Sequence, residues 1–516
     1  MPKKTDEGVW HDLLTQPLVG LVREGGAREA HSLPEVLELL GKEGVRAFTA
    51  LQAHQQHAWH AFLVQLAAIA LNKAGDQKVK QRAAAWCEML LALTRSRHEP
   101  WALVVADLHR AAFMQPPVSE DSLREFTAVA APDELDLLVT AKNHDVKRAR
   151  VGRPRPEHWV YALVSLQTME GFGGRDNYGI ARMNGGFASR PGIGLTPALD
   201  PGSRFRRDVG TLLDAREGIA KGRYKSRGGV ALLWLEEWDG KHSLALDELD
   251  PAFIEVCRRV RLTSREGQVV AVYRPTKTAR IDAKAQKGNT GDPWTPVDKK
   301  EAKAFTASAS GFDYRITQEL LLGASWAPGA ALELQRGEGA MFFAASVLAR
   351  GQGETNGFHE RIVPLPPKIT SRLRKPEVRE ALGELARARI EVVATAKNAV
   401  LKPAILTILQ GDPGELKFKD DRGQRWLDKL DALVDALFFE RLWNDADLDP
   451  CEADRSWAQL VVSLGRRVLS EALDAAPIPA ARRYRVIAAA ERVFEGSARK
   501  RLATAFDRQE ETKHGT

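Results

Sequence analysis

Between Gly171 and Thr196 the chain reads GFGGRDNYGIARMNGGFASRPGIGLT, with eight glycines, three arginines and two asparagines. Glycine that dense leaves little side chain to bury. It lets backbone N–H groups approach another molecule closely, and it permits φ > 0 where the chain turns sharply. The neighbouring arginines point to an anionic partner, a phosphate or a nucleic-acid backbone. A flexible surface loop without a ligand is the alternative. No Gly-x-x-x-x-Gly-Lys-Ser/Thr occurs, which excludes a P-loop.

Other residues invite catalytic readings. Asn143-His144-Asp145 suggests a metal nuclease, yet no further His or Asp ligands stand at close spacing. His54, His57 and His60 recur at i, i+3, i+6 beside Trp59. They spread over roughly 120° of a helix with no fourth ligand, so a solvated helix face is preferred to a metal site. Cys87, Cys257 and Cys451 form no C-x-x-C pair and no disulfide framework, which fits a reducing cytoplasm. Cys257 has no partner cysteine, so a zinc knuckle is not supported. There is no Gly-x-Ser-x-Gly elbow and no paired acids. The sequence therefore predicts no catalytic group, no metal and no cofactor.

Cations cluster in three places. The segment Lys142–Arg155 holds Lys142, Lys147, Arg148, Arg150, Arg153 and Arg155, six cations in fourteen residues without helical spacing. That pattern fits a segment that orders on an RNA or protein partner, or a solvated loop. Lys221, Arg223, Lys225 and Arg227 form a run that tracks a DNA backbone or is simply exposed. Lys277, Arg280, Lys284 and Lys287 precede the Gly291-Asp292-Pro293-Trp294 turn, with a solvated basic strand as the alternative.

The elements that must carry these residues follow from size and pattern. A chain of 516 residues holds two or three domains, and 44% hydrophobic with 28% charged residues is ordinary for a globular protein. The net charge of +7 is mild. The N-terminus lacks an apolar signal core, and no window of about 18 apolar residues is read, so no membrane span is expected. A strand is read near Leu18–Val22. Helices are read over Leu33–Leu40, Ala53–Lys73, Val79–Leu93 and Asp121–Thr140, and Trp159–Glu170 then feeds the glycine-rich region. Val230–Trp234, Gln268–Tyr273 and Met341–Ala349 read as strands. Met341–Ala349 and Phe358–Pro364 bracket the tip Arg350–Gly357 as a β-hairpin, Asn-Gly being the commonest tight-turn signal. Pro364, Pro366 and Pro367 make the best boundary. Past Pro376, four amphipathic helices with short connections imply a bundle. The expected fold is α+β: a large mixed α/β N-terminal domain over residues 1–365, then a C-terminal four-helix bundle over 370–508.

The order HDLLTQPLVGL near the start, AFMQPP at Ala112–Pro117, a basic loop, GFGG at Gly171–Gly174, GDPW at Gly291–Trp294, ARGQGETNGFHER at Ala349–Arg361 and a helical C-terminus resembles the CasA family. These are the large subunits of type I-E CRISPR Cascade surveillance complexes. The resemblance covers nearly the whole chain and lies in order and spacing rather than in one long motif. It implies a cytoplasmic, non-enzymatic protein that recognises the protospacer-adjacent motif (PAM) in double-stranded target DNA. Such a protein promotes duplex opening for crRNA pairing and recruits an effector helicase-nuclease. The implied partners are target DNA, crRNA, the backbone, crRNA-handle-binding and small subunits, and that nuclease, with no membrane.

Residue by residue, Gly171, Phe172, Gly173 and Gly174 match the family's Gly-rich loop, which contacts the PAM from the minor groove. A backbone without side chains suits a groove about 6 Å wide. Lys284 best matches a family lysine on the basic segment, with Lys287 and Arg280 behind it. The tip Gly353–Gly357 matches the family's wedge. Some relatives carry glutamine at its apex, whereas Thr355 or Asn356 stands there in this chain with Gln352 a few residues earlier. The wedge candidates are thus Gln352, Glu354, Thr355 and Asn356, flanked by Arg350 and Arg361, which could reach phosphates. The Lys142–Arg155 loop, with Lys142, Asn143, Lys147, Arg148 and Arg150, matches in position a loop on the crRNA-handle side. Arg182 and Asn184 are secondary contacts or core residues. The competing readings are a metal-dependent nucleic-acid enzyme acting through Asn143-His144-Asp145 and a scaffold without DNA contact.

Overall fold

From His57 to Leu71 every residue except His60 is buried, so the Gln56–Ala74 helix is enclosed on nearly all sides. Such a helix belongs in the centre of a core. It ends where Gly75 takes φ +69°, a conformation that glycine adopts without strain. The Pro156–Met169 helix, begun by a proline whose missing N–H costs nothing there, is buried almost throughout. The two pack together through Trp59 and Tyr161, with ring centroids 5.1 Å apart in an edge-to-face arrangement.

The structure, a computed structural model, describes residues 11–129, 131–136, 154–351, 354–411 and 413–506. Two units divide the chain: Met1–Phe312 with Ser325–Thr370, and Asp313–Ala324 with Ser371–Thr516.

The first unit wraps small sheets around the buried helices. Arg28–His31, Val19–Arg23 and Val45–Phe48 form one antiparallel sheet. Thr127–Val129, Gln268–Arg274 and Arg259–Arg265 form a second. The third orders Glu354–Leu365, Met341–Gly351 and Gly192–Thr196, so the strand ending the glycine-rich segment pairs directly with the hairpin.

One sequence expectation fails here, and one helix was missed. Asp121–Thr140 is not one continuous helix: Thr127–Val129 is an edge strand, and among the described residues of that span only Pro132–Leu135 is helical. The β-branched residues of Thr127–Val129 find a strand to pair with, and Pro132 can only start a helix. The Pro201–Ala220 helix was not anticipated, although Asp200 caps it by accepting the Ser203 N–H at 2.8 Å and Pro201 stands at its first position.

In the second unit the Tyr314–Leu322 helix is capped by Asp313, and Tyr314 donates its N–H to Asp435 at 2.6 Å. This excursion from the middle of the chain lies outside a contiguous cut at the prolines. Pro376–Thr395 continues through a π-helical turn at Ala396–Leu401 into Lys402–Gln410. That wider turn admits Pro403 without breaking the rod. Gln424–Asn444, Pro450–Ala475 and Ala480–Arg501 follow, around a core that includes Val393, Leu430, Phe438, Trp457 and Phe494. The fold is therefore mixed helix and sheet followed by a helical C-terminal unit. Among the described residues one helix, Pro376–Gln410, is long and apolar enough to span a membrane by length and composition, at mean hydropathy 1.4 over an 18-residue window. No such window was expected. Half of it, 50%, is buried within the protein.

Candidate nucleic-acid interface

The Pro156–Met169 helix delivers Glu170 into the interior, and the glycine-rich loop starts from it. Ile180 donates its N–H to the Glu170 carbonyl at 2.9 Å, Gly173 to Asn177 at 2.8 Å and Phe172 to Gly186 at 2.9 Å. These bonds fold the backbone back on itself. A Cβ on Gly171 would stand 2.3 Å from the Gly186 carbonyl oxygen, so that glycine is a packing requirement. Gly174 and Gly185 differ. Their φ angles are +108° and +88°, and an added Cβ would meet nothing within 4 Å. Here the backbone faces open space, and Gly173 beside it is exposed. Phe172 is half-buried and leans on Tyr178 and Phe187, with centroids 6.3 and 5.9 Å away, so it shapes the loop.

Two of the three arginines behind the anionic reading are buried. Arg182 donates to the Phe253 carbonyl at 2.9 Å and lies 3.7 Å over the Phe253 ring. Arg190 grips Asp292 through bonds of 2.6 and 2.5 Å. Burial works against the Asp292 charge, but Arg190 holds its carboxyl below the ordinary carboxylate range. Breaking one side of such a pair costs about 3–5 kcal/mol. Only Arg175 of the three is exposed. Sequence reasoning did not single it out; its signal was adjacency to Gly174. Beneath the loop, Glu255 accepts the Ala181 N–H at 2.8 Å, and burial pushes its pKa up to about 7 against the pull of Arg182.

The basic segment splits. Arg280 is 3% exposed and donates to the carbonyls of Glu237, Leu233 and Glu236 at 3.1, 3.3 and 3.0 Å. Its guanidinium also lies over the Trp238 ring, which removes Arg280 from the DNA-binding candidates. Lys284 and Lys287 are exposed on a single 3₁₀ turn. Gly288, at φ +78°, presses on the glycine loop: an added Cβ would stand 2.7 Å from the Met183 carbonyl carbon and 2.9 Å from the Asn184 nitrogen. Asn184 is structural as well, donating its side-chain amide to the Ala304 carbonyl at 3.0 Å. The fold thus sets the end of the lysine-bearing turn, at Gly288, against Met183 and Asn184 of the glycine loop, about a hundred residues away in sequence.

The hairpin strands run further than expected. Gly351 pairs with Glu354, and Arg350 with Thr355. Ala349 pairs with Gly357, so Asn356 is the extra residue of a bulge. Thr355 and Asn356 therefore sit in the strand, and the connection is Gln352-Gly353, which lies outside the described residues. Strand pairing continues through the Asn-Gly signal, which is taken up in the bulge. Arg350 is not a phosphate contact: it is ion-paired with buried Glu170, at 7% and 3% side-chain exposure. Arg361 lies opposite Ala345 in the strand. Lys142, Asn143, Lys147, Arg148 and Arg150 lie outside the described residues. Lys221, Lys225 and Arg227 are exposed.

The three helix histidines are not solvated. His54 bonds Asp136 at 2.7 Å and His60 bonds Asp208 at 2.8 Å. His57 is buried with its ring 5.5 Å from Trp294. Burial lowers His60 to about 4 and holds His57 well below the ordinary range. Asp208 also accepts the Trp294 indole N–H at 2.9 Å, which fixes the Gly291–Trp294 turn to the core. Cys257 donates to the Leu166 carbonyl at 3.2 Å, and burial pushes its thiol up to about 12. Among the described residues no group of three or more His, Cys, Asp or Glu is placed to hold a metal ion.

An α+β unit presenting an open glycine loop, a basic turn and a long bulged hairpin, followed by a helical unit, has solved counterparts: the fold is that of the CRISPR-associated Cse1 (CasA) proteins. Thermobifida fusca Cse1 superposes with a TM-score of 0.64 at 16% identity, over 96% of this chain and 99% of that chain. Acidimicrobium ferrooxidans Cse1 gives 0.61 at 16% identity, over 98% and 99%. A chain of a CRISPR RNA-guided surveillance complex gives 0.58 at 12% identity, over 94% and 99%. No protein-family profile matches the sequence, and no curated protein does.

Proposed function

We propose that this chain is the large subunit of a type I-E CRISPR Cascade complex. It recognises the PAM in double-stranded target DNA, promotes opening of the duplex for crRNA pairing, recruits the effector helicase-nuclease and has no catalytic activity of its own. The observation that carries the reading is the full-length likeness in fold to Cse1, over 96% of this chain and 99% of the Thermobifida fusca protein. Its partners are target DNA, crRNA and the remaining Cascade subunits, in the cytoplasm.

On this reading Gly173 and Gly174, with Gly185, bring bare backbone to the minor groove, whose acceptor pattern is degenerate and whose width excludes bulk. Arg175, Lys284 and Lys287 neutralise phosphates alongside. The hairpin tip with Gln352 enters the adjacent base step, offsetting an unstacking cost of about a few kcal/mol. The Lys142–Arg155 segment meets crRNA or a neighbouring subunit.

Co-expression with the other subunits and a crRNA tests this directly. The expected result is a stable complex that binds target duplex only beside a PAM and cleaves nothing in Mg²⁺ or Mn²⁺ by itself. Cleavage by the pure chain, lost on His144→Ala, would overturn it in favour of an enzyme.

A further inference from the structure

We infer that Arg350 is a positioning residue that holds the hairpin, the glycine-rich loop and the Pro132–Leu135 helix in one fixed arrangement, so that PAM contact and wedge insertion occur in register. The inference rests on the proposed function for its consequence, but the tie itself is a matter of geometry.

The register slip between Ala349 and Arg350 arises because Asn356 bulges from the facing strand, opposite Arg350. The Arg350 side chain is buried, one residue before the end of its strand. One arm of its guanidinium is ion-paired with the Glu170 carboxylate, and the other donates to the Asp136 carbonyl at 3.2 Å. Glu170 is the residue from which the glycine loop departs, and its carbonyl takes the Ile180 N–H that closes the loop at 2.9 Å. Carboxylate and carbonyl of one residue thus hold the hairpin and the loop together. Asp136 directly follows the Pro132–Leu135 helix, and its side chain is fixed by His54 and Gln55 at 2.7 Å each. Beyond Asp136 the chain runs on toward Lys142.

A planar guanidinium reaches two acceptors in different directions, and the single ammonium of a lysine does not reproduce that fork. Arg350→Lys therefore keeps the charge beside Glu170 but loosens the three-way tie. Glu170→Gln keeps an oxygen for Arg350 and loses only the charge, so its effect is smaller.

Two measurements test this. In the full chain, Arg350→Lys should speed amide exchange at Ile180 and Gly173 about tenfold or more while leaving the Gln56–Ala74 helix unchanged. Unchanged exchange at Ile180, or equal acceleration in that helix, would overturn the tie. In the assembled complex, Arg350→Lys should slow R-loop formation on a closed linear duplex about tenfold. A duplex with a pre-opened bubble beside the PAM should restore the rate to within about twofold, because the wedge is then not needed. Equal slowing on both substrates would mean general damage and would refute the registering role. If exchange rises as expected but the wild-type complex shows no PAM dependence, the proposed function falls and the tie stands.

Discussion

A Cβ added to Gly288 would stand 2.9 Å from the backbone nitrogen of Asn184, so the lysine-bearing turn and the glycine loop fit only because position 288 has no side chain. Gly288→Ala must both strain a φ of +78° and displace the loop. It should cost about 2–4 kcal/mol in denaturant unfolding. Gly185→Ala, which meets nothing, should cost only the conformational part, about 1–2 kcal/mol. Equal costs would mean that the two segments do not press on each other.

Lys284 and Lys287 are exposed, while Arg280 is spent on three carbonyls. In the assembled complex, Lys284→Ala and Lys287→Ala should each flatten the salt dependence of PAM-duplex affinity by about one unit. Arg280→Ala should leave that slope alone and instead lower the thermal midpoint, since it strips donors from buried carbonyls. A flattened slope for Arg280→Ala alone would reverse the assignment.

The pairing of Gly351 with Glu354 leaves Gln352-Gly353 as the connection between the strands. Gln352→Gly should keep PAM-duplex affinity and slow R-loop formation on linear DNA. Asn356→Gly, within the bulge, should have the weaker effect. Stopped-flow fluorescence of a base analogue beside the PAM reads both rates, and the opposite ranking would return the wedge to Asn356.

Glu255 sits beneath the loop with its pKa raised by burial from an ordinary 4.5 to about 7. Between those values the folded chain holds a proton that the unfolded chain has released. This contribution to stability is therefore full below about pH 4.5, declines as pH rises toward 7, and is gone above it, with a slope of at most about 1.4 kcal/mol per pH unit. Thermal unfolding across pH 5 to 8 should show a shallower decline in Glu255→Gln than in the wild type. Parallel profiles would place the titration elsewhere.

The loop and the lysines were legible because density of glycine and exposed charge are local properties. Arg280 was misread, and Arg182 left open between contact and core, for the converse reason: burial is decided by partners distant in sequence, here the carbonyls of Leu233 and Phe253. The same holds for His54 and His60, whose acids Asp136 and Asp208 lie 82 and 148 residues away. Long helices after Pro376 showed their apolar period plainly, whereas Pro201–Ala220, with buried Arg207, Asp208 and Arg216, hid its inward face among charges. The hairpin was readable but not its tip, since a bulge shifts register without altering composition.

The most direct measurement of the central claim is the affinity of assembled complexes carrying Gly174 variants for cognate and PAM-mutated duplexes. Gly174 has open space around it, so an added side chain meets no protein atom, while its φ of +108° adds the same conformational cost of about 1–2 kcal/mol as at Gly185. Gly174→Ala and Gly174→Asp should both assemble with the other subunits and crRNA. Both should lose PAM-dependent binding, and Gly174→Asp more severely because it adds negative charge beside phosphates. Cognate binding by Gly174→Asp as tight as wild type would show that the loop does not touch DNA and would contradict the account.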